Sequence, residues 1–514
     1  MADLYQRAYR EYAQRAAVET GQGELTYAEL GERVQRIIGG LAGLGLQPGD
    51  RGVILLDNCP EFFEVEQALF VGGYVRCAIS VRLHEREVLH ILRDCGASVV
   101  FASPVWADRL AGLRENLPEL RYVVTVVGGK GDISLDSLRT APPVPPARPA
   151  ATDPAAILYT SGTTGVPKGA TLSHTNWMTM VRNSMLELPA GDTDVVLHVA
   201  PLSHLSGYVA PVYFARGARH LTSSKFDADV TLNLVRDRAV TVLPMVPTML
   251  NLLVMAADGR ADRYTSLRTV MYAGSPIAPD RLLRAQEIFG EVFVQFYGLS
   301  ETPMPLTCLS ARDHAAAVHE GDVARLSSAG RVCPFVEVRL VNEAGREVDP
   351  GAVGEVIVRG DQVMMGYWGR PRETAEVIDA EGWARTGDLG RMDAEGYLTI
   401  VDRKKDMVVT GGFNVYPTEV ENAIFSLPGV AEVAVVGVPD GVWGESLKAV
   451  VVRRVGHELT EDDVVAACTA QLAAYKKPRS VEFVDELPKT ASGKIMRRQL
   501  RELYWQGTDR LVGG

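Results

Sequence analysis

Through about the first 300 residues, short β-branched runs alternate with amphipathic helical patterns, which favours an α/β architecture. The runs include "RGVILL", "ASVVFAS", "YVVTVV", "AAILYT" and "DVVLHVAPL". Each is apolar at nearly every position, as in strands buried on both faces of a largely parallel sheet. At 514 residues the chain exceeds what one hydrophobic core organises, so two or more domains are expected. "APPVPPARPAATDP", residues 141–154, reads as an extended, exposed connector. After Gly321 turn residues recur at short intervals in "GEVIVRG" and "GYLTIVDRKKD", the texture of a small β subdomain. The charge run "DRKKD", Asp402 to Asp406, fits a solvated turn and also marks a domain boundary. Beyond it, "EVAVVGV", "LKAVVVRR", "VEFV" and the helical "EDDVVAACTAQL" suffice for a small α+β domain.

The net charge of -11 disfavours a nucleic-acid partner, which needs a basic face, but allows a small anion held by local cations. The six cysteines show neither CxxC pairs nor zinc-ligand spacing, so reduced, buried thiols are expected. The start, "MADLYQRAYREYAQRAAVE", lacks the apolar centre of a signal peptide. The uncharged stretch "AVTVLPMVPTMLNLLVMAA", residues 239–257, is long enough to cross a bilayer, but Pro244 and Pro247 interrupt its first half. A buried strand turning at the prolines into a helix accounts for it better. A soluble cytoplasmic protein without an integral membrane segment is expected.

"YTSGTTGVPKGA", residues 159–170, gathers hydroxyls, glycines and one lysine around a proline. It is not a Walker A loop, because Lys168 stands three residues after Gly165 instead of directly after a glycine. Glycines still let backbone N–H groups approach a phosphate closely, and the hydroxyls add donors. Alone, such a stretch fits an unliganded surface loop equally well.

Its companions decide otherwise. "YAGSPI", "QFYGLSET", "WARTGDLG", "DRKKDMVVTGGFNVYP" and "PKTASGKIMR" follow in order. With "ELTYAELGERV" near the start, these motifs resemble the adenylate-forming superfamily of acyl-CoA synthetases, peptide-synthetase adenylation domains and luciferases over nearly the whole chain. The resemblance implies a large N-terminal adenylation domain (residues 1–402) of two α/β sheet subdomains plus a small β subdomain. A small mobile α+β domain (residues 403–514) follows and carries the catalytic lysine.

The resemblance also implies the roles. Thr160, Ser161, Gly162, Thr163, Thr164, Gly165 and Lys168 hold the β- and γ-phosphates of ATP. Glu301 binds Mg2+ through a hard carboxylate oxygen. Ser300, where many relatives carry threonine, reaches a phosphate. Gly274, Ser275 and Pro276 face the adenine, with Tyr297 stacking on it beside Gly298. Asp388 accepts from the ribose hydroxyls, and Arg403 adds a charged contact. Lys494 bridges the substrate carboxylate and the α-phosphate, supplying positive charge where two anions must meet. Lys405 is the hinge about which the last domain rotates between half-reactions. Gly412 clears the path of the coenzyme A pantetheine arm, and Asn414 hydrogen-bonds near it. Phe413, in GGFN where many relatives read GGEN, has no assigned role. Trp443, Lys476 and Lys477 contact the coenzyme A nucleotide or serve only packing and surface.

In "PLSHLSGY", His204 lies near the reacting carboxylate. Amino-acid-activating relatives carry an aspartate where this chain has Leu205, so an unpaired substrate ammonium is disfavoured. Leu205, Tyr208, Met245, Val246 and Met304 suggest an apolar pocket for a fatty, alicyclic or aromatic monocarboxylic acid. Ala78 and Ser80 replace the proline and asparagine of the relatives' "VPLN". The expected activity is an AMP-forming acid–CoA ligase; the alternative passes the activated group to an amine or a carrier-protein thiol. A homodimer is left open.

Overall fold

The computed structural model describes every residue except 127, 161–166, 261–263, 411–412, 490–494 and 506–514. Two compact units organise the chain: Met1–Val338 with Val358–Ala384, and Arg339–Ile357 with Arg385–Gly514.

In the first unit the apolar runs become strands of two large sheets. The eight-stranded sheet runs Gly366–Tyr367, Lys168–Ser173, Pro154–Thr160, Val75–Ala78, Arg51–Leu55, Val99–Ala102, Tyr122–Thr125, Ile133–Ser134. Its strands from Pro154–Thr160 onward pair in parallel, and the two before it pair antiparallel. The nine-stranded sheet has a parallel centre of Phe293–Tyr297, Thr269–Ala273, Val242–Met245, Val195–His198, Arg219–Thr222 and Ala16–Thr20. Val53, Val75, Val100 and Ile157 anchor one core, and Leu197, Leu243, Val270 and Phe293 the other. Fully burying each such side chain contributes about 1.5–3 kcal/mol before entropy is counted.

Helix starts follow local chemistry. Thr26 caps helix Tyr27–Gly43 by accepting from the N–H of Glu29, whose carboxylate accepts from the N–H of Thr26 in return. Pro244 lies inside an interior strand, where a missing N–H is usually excluded. It is tolerated because pairing toward Val195–His198 is confined to Val196 opposite Val242, whereas the other edge pairs fully with Thr269–Ala273. Pro247 then opens helix Pro247–Ala257 at its first turn. Among the described residues no helix is long and apolar enough to cross a membrane.

The connector of residues 141–154 is extended but only partly exposed. The N–H groups of Val144 and Ala147 donate to the carbonyls of Gln35 (3.3 Å) and Val71 (2.9 Å), which fasten it to two helices. Arg76 and Glu66 form a fully buried ion pair, 2.7 Å apart, between strand Val75–Ala78 and helix Pro60–Val71. Burial raises the Glu66 carboxyl, and the Arg76 guanidinium opposes that rise. Arg76 also donates to the carbonyl of Leu202 at 3.4 Å.

The second unit contains most of a four-stranded sheet, ordered Glu337–Val341, Gly354–Arg359, Ala384–Met392, Leu398–Arg403. A five-stranded sheet follows, with Val430–Asp440 and Gly444–Arg453 as a long antiparallel pair and Ser480–Val484 added in parallel. Helices Pro417–Phe425 and Glu461–Gln471 cover one face through Val420, Ile424, Val464 and Cys468. Leu500 of helix Arg497–Tyr504 packs on the other face with Val436 and Val450.

Candidate active site

Strands Val195–His198, Val242–Met245, Thr269–Ala273 and Phe293–Tyr297 run parallel and finish at one edge of their sheet. Ligands of open parallel sheets bind outside such carboxyl ends. His204, Leu205 and Tyr208 follow the first strand, Val246 the second, Gly274 to Pro276 the third, and Gly298, Ser300 and Glu301 the fourth. Met245 and Tyr297 close their own strands.

Backbone geometry explains two of these glycines. Gly274 has φ +98°, open to glycine at no steric cost, and lets the chain leave its strand as an exposed strip with Ser275 and Pro276. A Cβ at Gly298 would stand 2.5 Å from the backbone nitrogen of Met304, so only glycine allows this turn to close on itself. Met304 and Leu205 are buried, and Met245 packs in the sheet core with Leu250 and Tyr272. Tyr208, one turn after Leu205 in helix Leu205–Phe214, meets Trp177 edge-on with ring centroids 5.7 Å apart. Burial raises the Tyr208 phenol, and a hydrogen bond with Ser300 works against that rise. His204 shares a 2.8 Å hydrogen bond between its Nδ1 and Oγ of Ser203, which fixes the ring.

On the other sheet, Pro154–Thr160 and Lys168–Ser173 pair antiparallel with Thr160 opposite Lys168. Ser161, Gly162, Thr163, Thr164 and Gly165 lie outside the described residues. The base of this hairpin is anchored firmly. Tyr159 Oη and Arg370 Nη2 each donate to Asp94 at 2.7 Å, and His90 Nε2 lies 3.1 Å from the carbonyl of Pro167. The two-residue strand Gly366–Tyr367 extends the sheet, with Tyr367 opposite Ala170. Lys168 Nζ stands 5.3 Å from the centroid of the Tyr367 ring, and the Tyr367 phenol donates 2.9 Å to Glu301 Oε1.

In the second unit, Asp388 and Arg403 occupy paired positions on adjacent antiparallel strands, with Nε of Arg403 2.6 Å from Oδ1 of Asp388. Asp388 is 2% exposed, and its N–H donates to Thr386 Oγ1 at 3.1 Å. Burial pushes the Asp402 carboxyl up to about 6, against the pull of Arg497. Lys405 is exposed; its carbonyl and the Asp406 carboxylate each accept from Arg501 Nη1 at 3.1 Å. Asn414 is exposed beside Phe413, whose ring stacks on Tyr475 with centroids 4.7 Å apart. Arg479 lies over Trp443 at 4.8 Å, and Lys476 pairs with Glu419. Gly412 and Lys494 lie outside the described residues.

Residues 5–368 match the family described as AMP-binding enzyme, and residues 419–494 match its C-terminal domain. The chain belongs to this family. This AMP-binding enzyme is 39% identical to a feruloyl-CoA synthase of Amycolatopsis sp, across 95% of its own length and 96% of that protein's. It is 34% identical to a medium/long-chain-fatty-acid–CoA ligase of Mycobacterium tuberculosis, covering 98% and 90% of the two chains. The crystal structure of ATP-bound MatB from Rhodopseudomonas palustris superposes with a TM-score of 0.87 at 32% identity, covering 98% and 99%.

Tyr367 was not found by the sequence reading. It is 66 positions from Glu301 and inside no motif whose spacing points to that partner. The available signal was an aromatic residue in a turn-rich stretch, "MMGYWGRP". Among the described residues no group of three or more His, Cys, Asp or Glu side chains could hold a metal ion. The lone Glu301 carboxylate nevertheless fits Mg2+, which keeps several waters and binds through one or two carboxylates plus substrate phosphates.

Proposed function

We propose that this AMP-binding enzyme joins an apolar carboxylic acid to ATP as an acyl-adenylate and then transfers the acyl group to the thiol of coenzyme A. It is an AMP-forming acid–CoA ligase. The observation that carries the reading is the convergence of Glu301 and Lys168, from different sheets, on Tyr367 at the edge where the adenine and acyl segments emerge.

A free carboxylate resists attack because its charge is delocalised and its leaving group would be oxide. In the first half-reaction a carboxylate oxygen bonds to the α-phosphorus, the bond to the β-phosphate breaks, and pyrophosphate leaves. The repulsion between two anions is the obstacle, and fixed charge and donors offset it. Lys168, Thr160 and the hydroxyl loop hold the β- and γ-phosphates. Glu301 holds Mg2+, which when bound neutralises phosphate charge. His204 orients the carboxylate, Asp388 and Arg403 hold the ribose, and Lys494 spans carboxylate and α-phosphate. In the second half-reaction the thiolate sulfur bonds to the acyl carbon and AMP leaves. Residues 403–514 turn about Lys405 to bring Gly412 and Asn414 to the pantetheine arm.

The acid is apolar because Leu205 offers no carboxylate to a substrate ammonium, and Tyr208, Met245, Val246 and Met304 offer adaptable apolar surface. The names of the two relatives, an aromatic and a fatty acid ligase, support the same class. All six cysteines are free thiols, which suits a reducing cytoplasm.

The test is a panel of carboxylic acids assayed for pyrophosphate release with and without coenzyme A. Acid-dependent release with accumulation of a coenzyme A thioester is expected. Release that yields product only with an amine or a carrier-protein thiol would replace the second half-reaction. No release with any acid would overturn the proposal.

A further inference from the structure

Tyr367 stands where three elements meet: its own edge strand, the start of strand Lys168–Ser173, and the turn beyond strand Phe293–Tyr297. We propose that Tyr367 is a positioning residue that ties the cation-holding carboxylate of Glu301 to the phosphate-holding ammonium of Lys168. The proposal rests on the adenylating function above and adds a residue to that site.

The phenol donates to Oε1 of Glu301 at 2.9 Å, which restricts rotation of the carboxylate and leaves its second oxygen for a cation. Mg2+ demands near-octahedral geometry, so a carboxylate already fixed in direction loses less on binding it. Lys168 Nζ is 5.3 Å from the centroid of the same ring, within cation–π range. The ring therefore carries an anion at its hydroxyl and a cation over its face. Tyr367 thereby links the two charges through one rigid side chain.

The ring is placed by backbone, not by the contacts it makes. The Tyr367 N–H donates to Thr374 Oγ1 at 2.9 Å, the Trp368 N–H to the carbonyl of Gly169 at 2.8 Å, and the Met364 N–H to the carbonyl of Glu301 at 2.8 Å. Tyr367→Phe thus removes the hydrogen bond and keeps the ring, whereas Tyr367→Leu removes both.

The test combines calorimetric titration of ATP, with and without Mg2+, and pyrophosphate exchange across a Mg2+ series. For Tyr367→Phe the Mg2+ needed for half-maximal exchange rises about tenfold, as expected for losing a hydrogen bond to a charged group. Its KM for the acid and its metal-free ATP affinity stay unchanged. Tyr367→Leu additionally weakens metal-free ATP binding several-fold. In a Glu301→Gln background the further change Tyr367→Phe adds nothing, because the carboxylate that the phenol holds toward the cation is already gone. An unchanged Mg2+ requirement in Tyr367→Phe, or full additivity with Glu301→Gln, overturns the role of Tyr367 and leaves the adenylating function standing. If the wild type shows no exchange with any acid, the proposed function fails, and the calorimetric arm still decides for or against Tyr367.

Discussion

Arg403 reaches across a strand pair to Asp388, its Nε 2.6 Å from Oδ1, and so holds one oxygen of a carboxylate that is otherwise sealed from solvent. The pairing fixes the direction of Asp388, as its proposed role of accepting from two ribose hydroxyls requires. Hydrogen bonds to a charged acceptor contribute about 1.5–3 kcal/mol each. Asp388→Ala is therefore expected to lower kcat/KM for ATP by about a hundredfold, an estimate from the lower end of that range. Arg403→Ala should cost less than about tenfold, since its side chain is 41% exposed and solvent screens the pair. ATP-dependent pyrophosphate exchange at varied ATP measures both. An Asp388→Ala enzyme with unchanged ATP dependence would remove Asp388 from the ribose site.

Much of the fold around this candidate site was legible in the sequence, for identifiable reasons. Apolar runs such as "AAILYT" and "DVVLHVAPL" read as buried strands because each lies inside a sheet, and the assigned residues fall at the strand ends where the runs stop. Gly274 and Gly298 stood out through the motifs "YAGSPI" and "QFYGLSET", and the backbone then supplies a physical reason for a glycine at each. Contacts across the fold left no such trace. Tyr367 and Glu301 meet only because an edge strand is added after the hairpin it extends, an event of tertiary pairing and not of spacing. Pro244 in an interior strand is legible only once its neighbour is known to pair through a single residue there. Phe413, without a role in the sequence, turns out to cover Tyr475 with its ring.

Two buried histidines are expected to contribute acid sensitivity to the first unit. His198 Nε2 and His220 Nδ1 are 2.9 Å apart, with the ring of His220 stacked on Phe214 at 3.6 Å. Burial lowers His198 to about 3 and lowers His220 strongly, the second with help from its neighbour. The unfolded chain binds protons near pH 6.5 where the native pair refuses them, so stability is full above that pH and falls as pH drops below it. The loss approaches about 1.4 kcal/mol per pH unit for each histidine. Thermal unfolding measured near pH 7 and near pH 5 should show a larger drop for the wild type than for a His198→Leu, His220→Phe double variant. Equal drops would show that the pair does not govern acid stability.

Lys494 is assigned to the adenylation step alone. The carboxylate and the α-phosphate repel, and an ammonium between them is worth most as the new bond forms. Lys494→Ala should slow formation of the acyl-adenylate by on the order of a hundredfold or more. Thioester formation from a supplied acyl-adenylate should change far less, because no second anion is then being brought in. Single-turnover measurement of each half-reaction separates the two. Equal slowing of both would place Lys494 in a general binding role.

Lys405 supplies the complementary case. It sits in the turn that closes when the N–H groups of Asp406 and Met407 donate to the carbonyl of Arg403 at 2.9 and 3.2 Å. Arg501 then pins the turn through the Lys405 carbonyl. A hinge must change its backbone dihedrals, and proline locks φ near -65° and restricts the residue before it as well. Lys405→Pro should therefore retain acyl-adenylate formation within about tenfold while thioester formation falls by two or more orders of magnitude, as gating residues far from the chemistry do. Lys405→Ala loses the charge and keeps the rotation, so both half-reactions should stay near wild type. If Lys405→Ala were as defective as the proline variant, the side chain and not the freedom of the backbone would be what this position contributes.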